Sequence, residues 1–235
     1  MNQHTNAAGT SLGRRGLLAG AAGAALLLAA PLARADDAAD ARGLVEKSRI
    51  TFESLARDKN FGAMRQALKE ARGVLIFPQI IKGAFFVGGS GGTGVLLARD
   101  EKGEWRGPAF YTIGSASIGI AFGGEAAEAV IVIRSQKALD SLYATKFKVG
   151  ADGSITAGPV GIGENVAFTS DMMSFSRSKG AFIGLSFDGS VIDVRDGLNR
   201  AYYKVEATPL DILVRGKPAS EHSAGLRKAV AAATK

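Results

Sequence analysis

The spacing of apolar residues changes at Gly73, and this change constrains the fold more than any other feature of the sequence. Over residues 36–72 the apolar residues recur at helical spacing, with a break near Asn60. After Gly73, short apolar runs of strand length alternate with glycines and with turn sequences such as Asp100-Glu101-Lys102-Gly103. The sequence therefore predicts one long helical segment followed by many short strands.

The strands are separated mainly by sequences typical of hairpins, so we expect them to pair antiparallel. Residues 73–77 are predicted to form a buried strand that ends at Pro78. Asp188-Gly189 predicts a hairpin turn, with residues 191–194 as the returning strand. The other predicted strands are residues 84–87, 94–99, 110–122, 129–133, 155–160, 166–168, 172–178 and 181–187.

Short helices are predicted in the second half of the chain. Residues 135–144 begin at a Ser135 cap, and residues 196–203 and 209–215 follow. We predict a single domain over residues 36–216 and an Ala/Lys-rich tail over residues 217–235. The predicted fold class is α+β: an antiparallel, glycine-rich, barrel-like β-sheet with a long N-terminal helix and short C-terminal helices.

Residues 1–35 have the three parts of a cleavable secretion signal. Arg14 and Arg15 give the positive start, residues 16–30 are an uncharged run of Gly, Ala and Leu, and Ala33-Arg34-Ala35 fits the cleavage pattern. The paired arginines resemble the twin-arginine motif, so we expect cleavage after Ala35 and a periplasmic or secreted protein. The alternative is an uncleaved membrane anchor, because the apolar run approaches the length that spans a bilayer.

The composition excludes several classes of site. The chain has no cysteine, and its two histidines are His4 and His222, so disulfides, thiolate metal sites and most histidine-based catalysis are excluded. Without the three arginines of the predicted signal, the net charge falls from +7 to +4. This excess is small for a nucleic-acid binder, so no nucleic-acid partner is predicted.

The motifs that suggest chemistry are weak. Gly89-Ser90-Gly91-Gly92-Thr93-Gly94 matches the dinucleotide pattern G-x-G-x-x-G, but a strand rather than a phosphate-binding helix follows it, so we predict neither a nucleotide nor another cofactor. A serine nucleophile would need a base, and the nearest candidate pair is Ser176 or Ser178 with Lys179. The acidic residues show no compact metal-ligand spacing, and the chain is predicted not to be an enzyme.

The predicted N-terminal helix is amphipathic. Leu44, Ser48, Phe52 and Leu55 share one face, and the opposite face carries Lys and Arg. Such a helix can lie on a membrane surface, or it can pack on the domain with its basic face in solvent. Further basic residues could complete an anion-binding face or be scattered solvated charges. The candidate lipid-binding residues are Lys47, Arg49, Arg57, Lys59, Arg65, Lys69, Arg72, Lys82, Arg177 and Lys179.

An ordered set of segments between residues 40 and 215 resembles the SYLF domain family, also called the Ysc84-type actin-binding or lipid-binding domain. The matching segments are residues 73–78, 91–96, 105–110, 114–124, 157–159, 174–182 and 199–203. This chain has Phe175 where many members have Tyr. The resemblance implies lipid binding, since eukaryotic members bind phosphoinositide membranes, largely through a basic amphipathic helix that corresponds to residues 40–72, and some bind actin.

The resemblance and the signal together give the expected function. An exported bacterial member does not meet actin or cytosolic phosphoinositides, so we expect its partner to be an anionic phospholipid membrane of the cell envelope. The expected protein is a non-enzymatic phospholipid-binding module without a cofactor. The alternative is a structural or protein-interaction module that binds an envelope protein.

Overall fold

A computed structural model describes residues 19–84, 87–118, 123–144, 146–158, 170–178, 181–182, 185 and 187–235. The chain divides into two compact units, Met1–Asp36 and Asp37–Lys235. The described part of the first unit is helical. None of the helices in the described ranges is both long enough and apolar enough to cross a membrane.

The N-terminal helical segment breaks where the sequence predicted. Helix α1 spans Ala19–Arg57, a 3-10 turn spans Lys59–Phe61 and α2 spans Gly62–Lys69. Asp58 accepts a hydrogen bond from the Asn60 amide at 3.0 Å and so caps the 3-10 turn. The helix begins earlier than predicted, at Ala19 instead of Asp36. The residues before Asp36 are rich in Ala and Leu, which favour a helix.

One mixed sheet forms the centre of the second unit and confirms the α+β class. Its strands pair in the order β5-β9-β3-β2-β1-β4-β7-β6, with β8 on β7, and curl into a half-barrel. All pairs are antiparallel except β6 with β7. The strands are β1 Gly73–Ala84, β2 Val87–Arg99, β3 Trp105–Ile118, β4 Gly123–Ile133, β5 Lys146–Lys148, β6 Ile155–Ala157, β7 Met172–Ser178, β8 Ala181–Phe182 and β9 Val191–Val194.

The prediction that a strand ends at Pro78 is wrong. Strand β1 continues to Ala84, and its register against β4 shifts between Phe77 and Ile80. This bulge accommodates Pro78, which has no N–H to donate to a neighbouring strand. Of the predicted strand at residues 84–87, Ala84 ends β1 and Val87 begins β2, while residues 85–86 lie outside the described residues.

The hairpin predicted at Asp188-Gly189 has different partners from those expected. The turn is present, but β9 pairs with β3 and β5. Backbone hydrogen bonds from Gly189 to Val149 and from Val149 to Ser190, at 3.2 and 2.9 Å, fix the turn beside the end of β5. Residues 119–122, 159–169 and 183–184, which include parts of other predicted strands, lie outside the described residues.

Helices cover both faces of the sheet at the end where β1 begins. Gly73 faces Leu139 of α3, which spans Gln136–Leu142 and is capped by Ser135 as predicted. On β7, Arg177 reaches Ser54 of α1. Because both faces are covered, consecutive residues of the central strands are buried. Fully buried runs include residues 74–77, 95–98, 109–111 and 129–133.

The C-terminal segment is part of the core rather than a tail. After α4, Asp196–Tyr203, and a π-helical turn, Leu210–Val214, the chain forms α5 over Ala224–Ala233. Leu226 and Val230 of α5 are buried in the same core as the sheet. Residues 217–235, predicted as an Ala/Lys-rich tail, thus include a helix in which Leu226 and Val230 follow helical spacing.

Candidate functional site

A groove of about 520 Å³ lies between α1 and the strands β1, β4 and β7. Lys47, Ile50 and Thr51 of α1 form one wall, and Glu128 and Arg177 lie across from them. The remaining lining residues are Pro78, Gln79, Ala126 and Ala127. The bulge in β1 therefore contributes to this groove.

Two large aliphatic side chains are exposed at the groove and beside it. Ile50 is 59% exposed, and Ile81 on β1 is 56% exposed. Ile81 is the register partner of Ala126, which is exposed and lines the groove with Ile50. Lys47 is also exposed and forms no ion pair with another described residue. We call Lys47, Ile50, Ile81 and Ala126 the amphipathic surface.

Arg177 connects α1 to the sheet at the base of the groove. Its guanidinium donates to Ser54 Oγ at 2.9 Å and to Glu128 Oε2 at 2.7 Å, and it lies 3.6 Å from Asp58 Oδ2. Thr51 Oγ1 donates to the other oxygen of Glu128 at 3.4 Å. The side chain of Arg177 is only 18% exposed, so its charge is balanced inside the protein.

A second concavity, of about 540 Å³, lies where β1 begins and where β2 and β4 end. Lys69, Arg72, Arg99 and Arg134 line it, and we call these four residues the cationic cleft. The other lining residues are Glu70, Ala71, Asp100, Glu101 and Gly103. Arg99 and Arg134 were not among the predicted site residues, although each stands at the end of an apolar run in the sequence.

Several predicted lipid-binding residues have partners within the N-terminal segment. Arg49 lies 3.0 Å from Glu46 and from Glu53, and the hydrogen bond that its guanidinium donates to Glu46 is the main cause of its raised pKa. Arg57 pairs with Glu53 at 2.9 Å. Arg65 donates to the carbonyls of Ala56 and Asp58, and so satisfies the end of α1.

The other predicted residues are distributed over the described structure. Lys59, Lys69 and Arg72 are exposed and, like Lys47, form no ion pair with another described residue. Lys82 is half-buried and points to the opposite face of β1 from Ile81. Lys179 lies outside the described residues. The structure thus groups Lys47 with Arg177 in the groove and Lys69 with Arg72 in the cationic cleft.

The apolar face of α1 is buried in the domain. Val45, Phe52 and Leu55 are at most 1% exposed, and Ser48 is also buried. Residues 37–57 of α1 therefore pack on the domain through this face, which is the second of the two alternatives predicted for this helix. Any contact between α1 and a membrane would involve its outer residues, among them Ile50.

The glycine-rich and serine segments have structural roles. The pattern from Gly89 to Gly94 lies within strand β2 and opens no helix. Ser176 and Ser178 are buried, and Ser178 donates to the Ala126 carbonyl at 2.9 Å. Among the residues that the structure describes, no group of His, Asp and Glu side chains could hold a metal ion.

A curled half-barrel sheet with an N-terminal helix on one face defines the fold class, and the comparisons with known proteins define the family. The model of the Ysc84 family, described as Las17-binding protein actin regulator, matches residues 114–233. The chain belongs to this family, which is also the SYLF family that the sequence resembles. The family's members are regulators that bind other molecules and are not enzymes.

Fungal and mammalian relatives match a larger part of the chain. Protein YSC84 of Saccharomyces cerevisiae is 32% identical over 66% of this chain and 35% of its own length. LAS seventeen-binding protein 3 of the same yeast is 32% identical over 65% and 35%, and the human SH3 domain-containing YSC84-like protein 1 is 29% identical over 64% and 45%. The chain thus spans between a third and a half of the length of these relatives.

Proposed function

We propose that this protein is a non-enzymatic module that binds the surface of anionic phospholipid membranes, with the amphipathic surface as the contact. The observation that carries the proposal is the exposure of Ile81, the register partner of Ala126, and of Ile50, which lines the groove with Ala126 and with Lys47, a lysine that forms no ion pair with another described residue. Exposed aliphatic side chains beside basic ones are typical of proteins that insert shallowly into the lipid headgroup region. The two isoleucines would enter this region while Lys47 stays at the phosphate level.

The basic residues that pair with no acidic residue in the described part of the chain would add attraction to the anionic surface. A lysine or arginine close to such a surface contributes about 1 kcal/mol, and salt screens this contribution. Lys47 belongs to the amphipathic surface itself, whereas Arg49 and Arg177 are balanced by acidic partners. We therefore expect binding that combines aliphatic insertion with a modest, salt-sensitive electrostatic term.

Vesicle co-sedimentation tests the proposal. The full chain should sediment with phosphatidylglycerol vesicles at low salt and less at high salt, and Ile50→Asp should weaken sedimentation strongly. Val214→Asp is the matched control, because Val214 is 54% exposed at another place on the domain. The N-terminal apolar segment is the same in all three proteins. Equal sedimentation of all three would show that the amphipathic surface is not the contact.

A protein partner is the second candidate. It is favoured by the family description, Las17-binding protein actin regulator, and by the name of LAS seventeen-binding protein 3. The same exposed isoleucines would then pack against an apolar patch of a protein of the envelope. Crosslinking through position 50 to a single protein, together with no response to phosphatidylglycerol vesicles, would favour this function.

We further propose that the protein acts outside the cytoplasm. The support is the pattern of residues 1–35, with paired arginines, an apolar run and a small-residue site. Mass spectrometry of the protein recovered from a periplasmic fraction should give a chain that begins at Asp36. An intact N-terminus in that fraction would show that residues 1–35 are an uncleaved membrane anchor and not a cleaved signal.

A further inference from the structure

Three arginines stand side by side where three neighbouring strands meet. Strand β1 lies between β2 and β4, with Gly73 paired to Ala98 on one side and to Ile133 on the other. The backbone pairing extends one residue further. The Arg72 amide donates to the Ile133 carbonyl, and the Arg72 carbonyl accepts from the Arg99 amide, both at 2.8 Å. Arg72 is therefore flanked by Arg99 and Arg134 at the spacing of adjacent strands, about 4.8 Å.

Side-chain direction brings the three arginines to the same face. Because residues alternate between faces, Arg72, Arg99 and Arg134 all point away from the face that Gly73, Ala98 and Ile133 share. Lys69, in the last turn of α2, reaches the same concavity. Four cationic side chains from three strand ends and one helix therefore converge.

The acidic residues of the cleft are largely paired. Glu70 forms an ion pair with Arg134. Asp100 accepts from Arg106 and from the amides of Lys102 and Glu104, and these bonds hold its pKa below the usual value although burial alone would raise it.

The charges that line the cleft leave a positive excess. Lys69, Arg72, Arg99 and Arg134 are cationic, whereas Glu70, Asp100 and Glu101 are anionic, so four positive charges face three negative ones and the net charge of the lining is +1. Arg106, outside the lining, pairs with both Asp100 and Glu104 and adds no further excess. Among the described residues, the Arg99 side chain forms one long hydrogen bond, of 3.4 Å, to the Gly103 carbonyl.

We propose that the cationic cleft binds a dianionic phosphate group, carried by a phosphomonoester or present as inorganic phosphate. A phosphomonoester bears a charge of about −1.5 to −2 near neutral pH, which is opposite in sign to the excess of the cleft. Guanidinium groups bind phosphate oxygens through paired hydrogen bonds, and two adjacent arginines can hold one phosphate between them. A phosphate here would also relieve the repulsion among three arginines on neighbouring strands. This site does not depend on the amphipathic surface.

Calorimetric titration with inorganic phosphate tests the site on the full chain. The wild type should show saturable one-site binding, and Arg72→Gln and Arg99→Gln should each weaken it about tenfold or more, the loss expected for a charge-assisted bond. Arg72→Lys should recover part of the affinity, which shows that the loss is not a folding defect. Arg57→Gln removes an equal charge from the exposed surface and should leave binding unchanged. Absent binding, or equal weakening by Arg57→Gln, would overturn the proposal.

Vesicles identify where the phosphate comes from. Phosphatidic acid carries a phosphomonoester, whereas phosphatidylglycerol carries a diester. If Arg72→Gln weakens binding to phosphatidic acid vesicles and spares phosphatidylglycerol vesicles, the ligand is a lipid headgroup. If it abolishes phosphate binding and spares both vesicles, the ligand is a soluble phosphomonoester. Failure of membrane binding through Ile50 would leave the phosphate titration unchanged, so the two proposals fail separately.

Discussion

At the scale of single residues, Gly92 and Gly94 of β2 are explained by the bulge in β1. A Cβ on Gly94 would lie 2.6 Å from the Phe77 ring and even closer to the Ile76 carbonyl oxygen, and a Cβ on Gly92 would lie 2.5 Å from the Gln79 carbonyl oxygen. These distances are shorter than van der Waals contact. Two glycines of the motif that resembles a dinucleotide fingerprint, Gly92 and Gly94, are therefore required by the packing of β2 against β1.

We expect two substitutions within this motif to have opposite outcomes. Gly94→Ala should lower the free energy of unfolding by about 1 to 3 kcal/mol, because the new methyl group overpacks against β1. Gly91→Ala should leave it unchanged or raise it by about 0.5 kcal/mol, since the nearest atom to its Cβ is 3.8 Å away. Urea denaturation of the two variants measures both. Similar effects at the two positions would contradict the role given to the bulge.

The tyrosines predict how stability changes at alkaline pH. Burial raises the pKa of Tyr111, Tyr202 and Tyr203, and it raises the pKa of Tyr143 to about 12. Unfolded tyrosines ionise near pH 10, so above that pH the native state holds more protons than the unfolded state. The stabilisation is complete below about pH 10 and is lost as pH rises towards about 12, by up to about 1.4 kcal/mol per pH unit for each tyrosine.

Denaturation curves recorded through this alkaline range test the tyrosine effect. Tyr111 is the tyrosine to replace, because it is fully buried and its hydroxyl donates to the Leu142 carbonyl at 2.8 Å. Tyr111→Phe should be less stable at neutral pH by about 1 kcal/mol and should lose stability less steeply above about pH 10. An unchanged slope, or ionisation of all tyrosines near pH 10 in the native protein, would contradict the burial argument.

At the scale of elements, α1 is held to the sheet by its apolar face and by Arg177. The buried face was predictable, because Phe52 and Leu55 follow helical spacing. The pairing of Arg49 and Arg57 with acids three and four residues away was also visible in the sequence. The bonds from Arg177 to Glu128 and Ser54 were not predictable, since they depend on how β4 and β7 align beneath the helix.

Replacement of Arg177 tests this attachment. Arg177→Gln removes the charge that faces Glu128 and Asp58, and should lower the free energy of unfolding by about 1 to 3 kcal/mol. Arg57→Gln breaks an ion pair whose arginine is 78% exposed and should have a much smaller effect. Hydrogen exchange should show faster opening of α1 in the first variant. Equal protection of α1 in both would assign the attachment to the apolar contacts alone.

At the scale of the whole molecule, the fold class was predictable and the location of charge was not. The change from helical to strand spacing at Gly73 predicted the α+β class. Pairing of consecutive strands accounts for β1–β2, β2–β3 and β7–β8, whereas the antiparallel pairs β1–β4, β4–β7, β3–β9 and β5–β9 join strands that are not consecutive and could not be predicted from turn signals. The cationic cleft requires the order β2-β1-β4, which brings Arg72, Arg99 and Arg134 together from distant positions. The amphipathic surface likewise combines α1 with β1 and β4, and spacing within one element does not reveal such a combination.

The insertion of Ile50 into a lipid bilayer is the most direct test of the proposed function. The chain has no cysteine, so Ile50→Cys and Val214→Cys can each carry a single environment-sensitive fluorophore. With phosphatidylglycerol vesicles, we predict a blue shift and quenching by shallow lipid quenchers for the label at position 50, and no change for the label at position 214. A label at position 50 that stays in water while the protein is bound to vesicles would contradict membrane binding through the amphipathic surface.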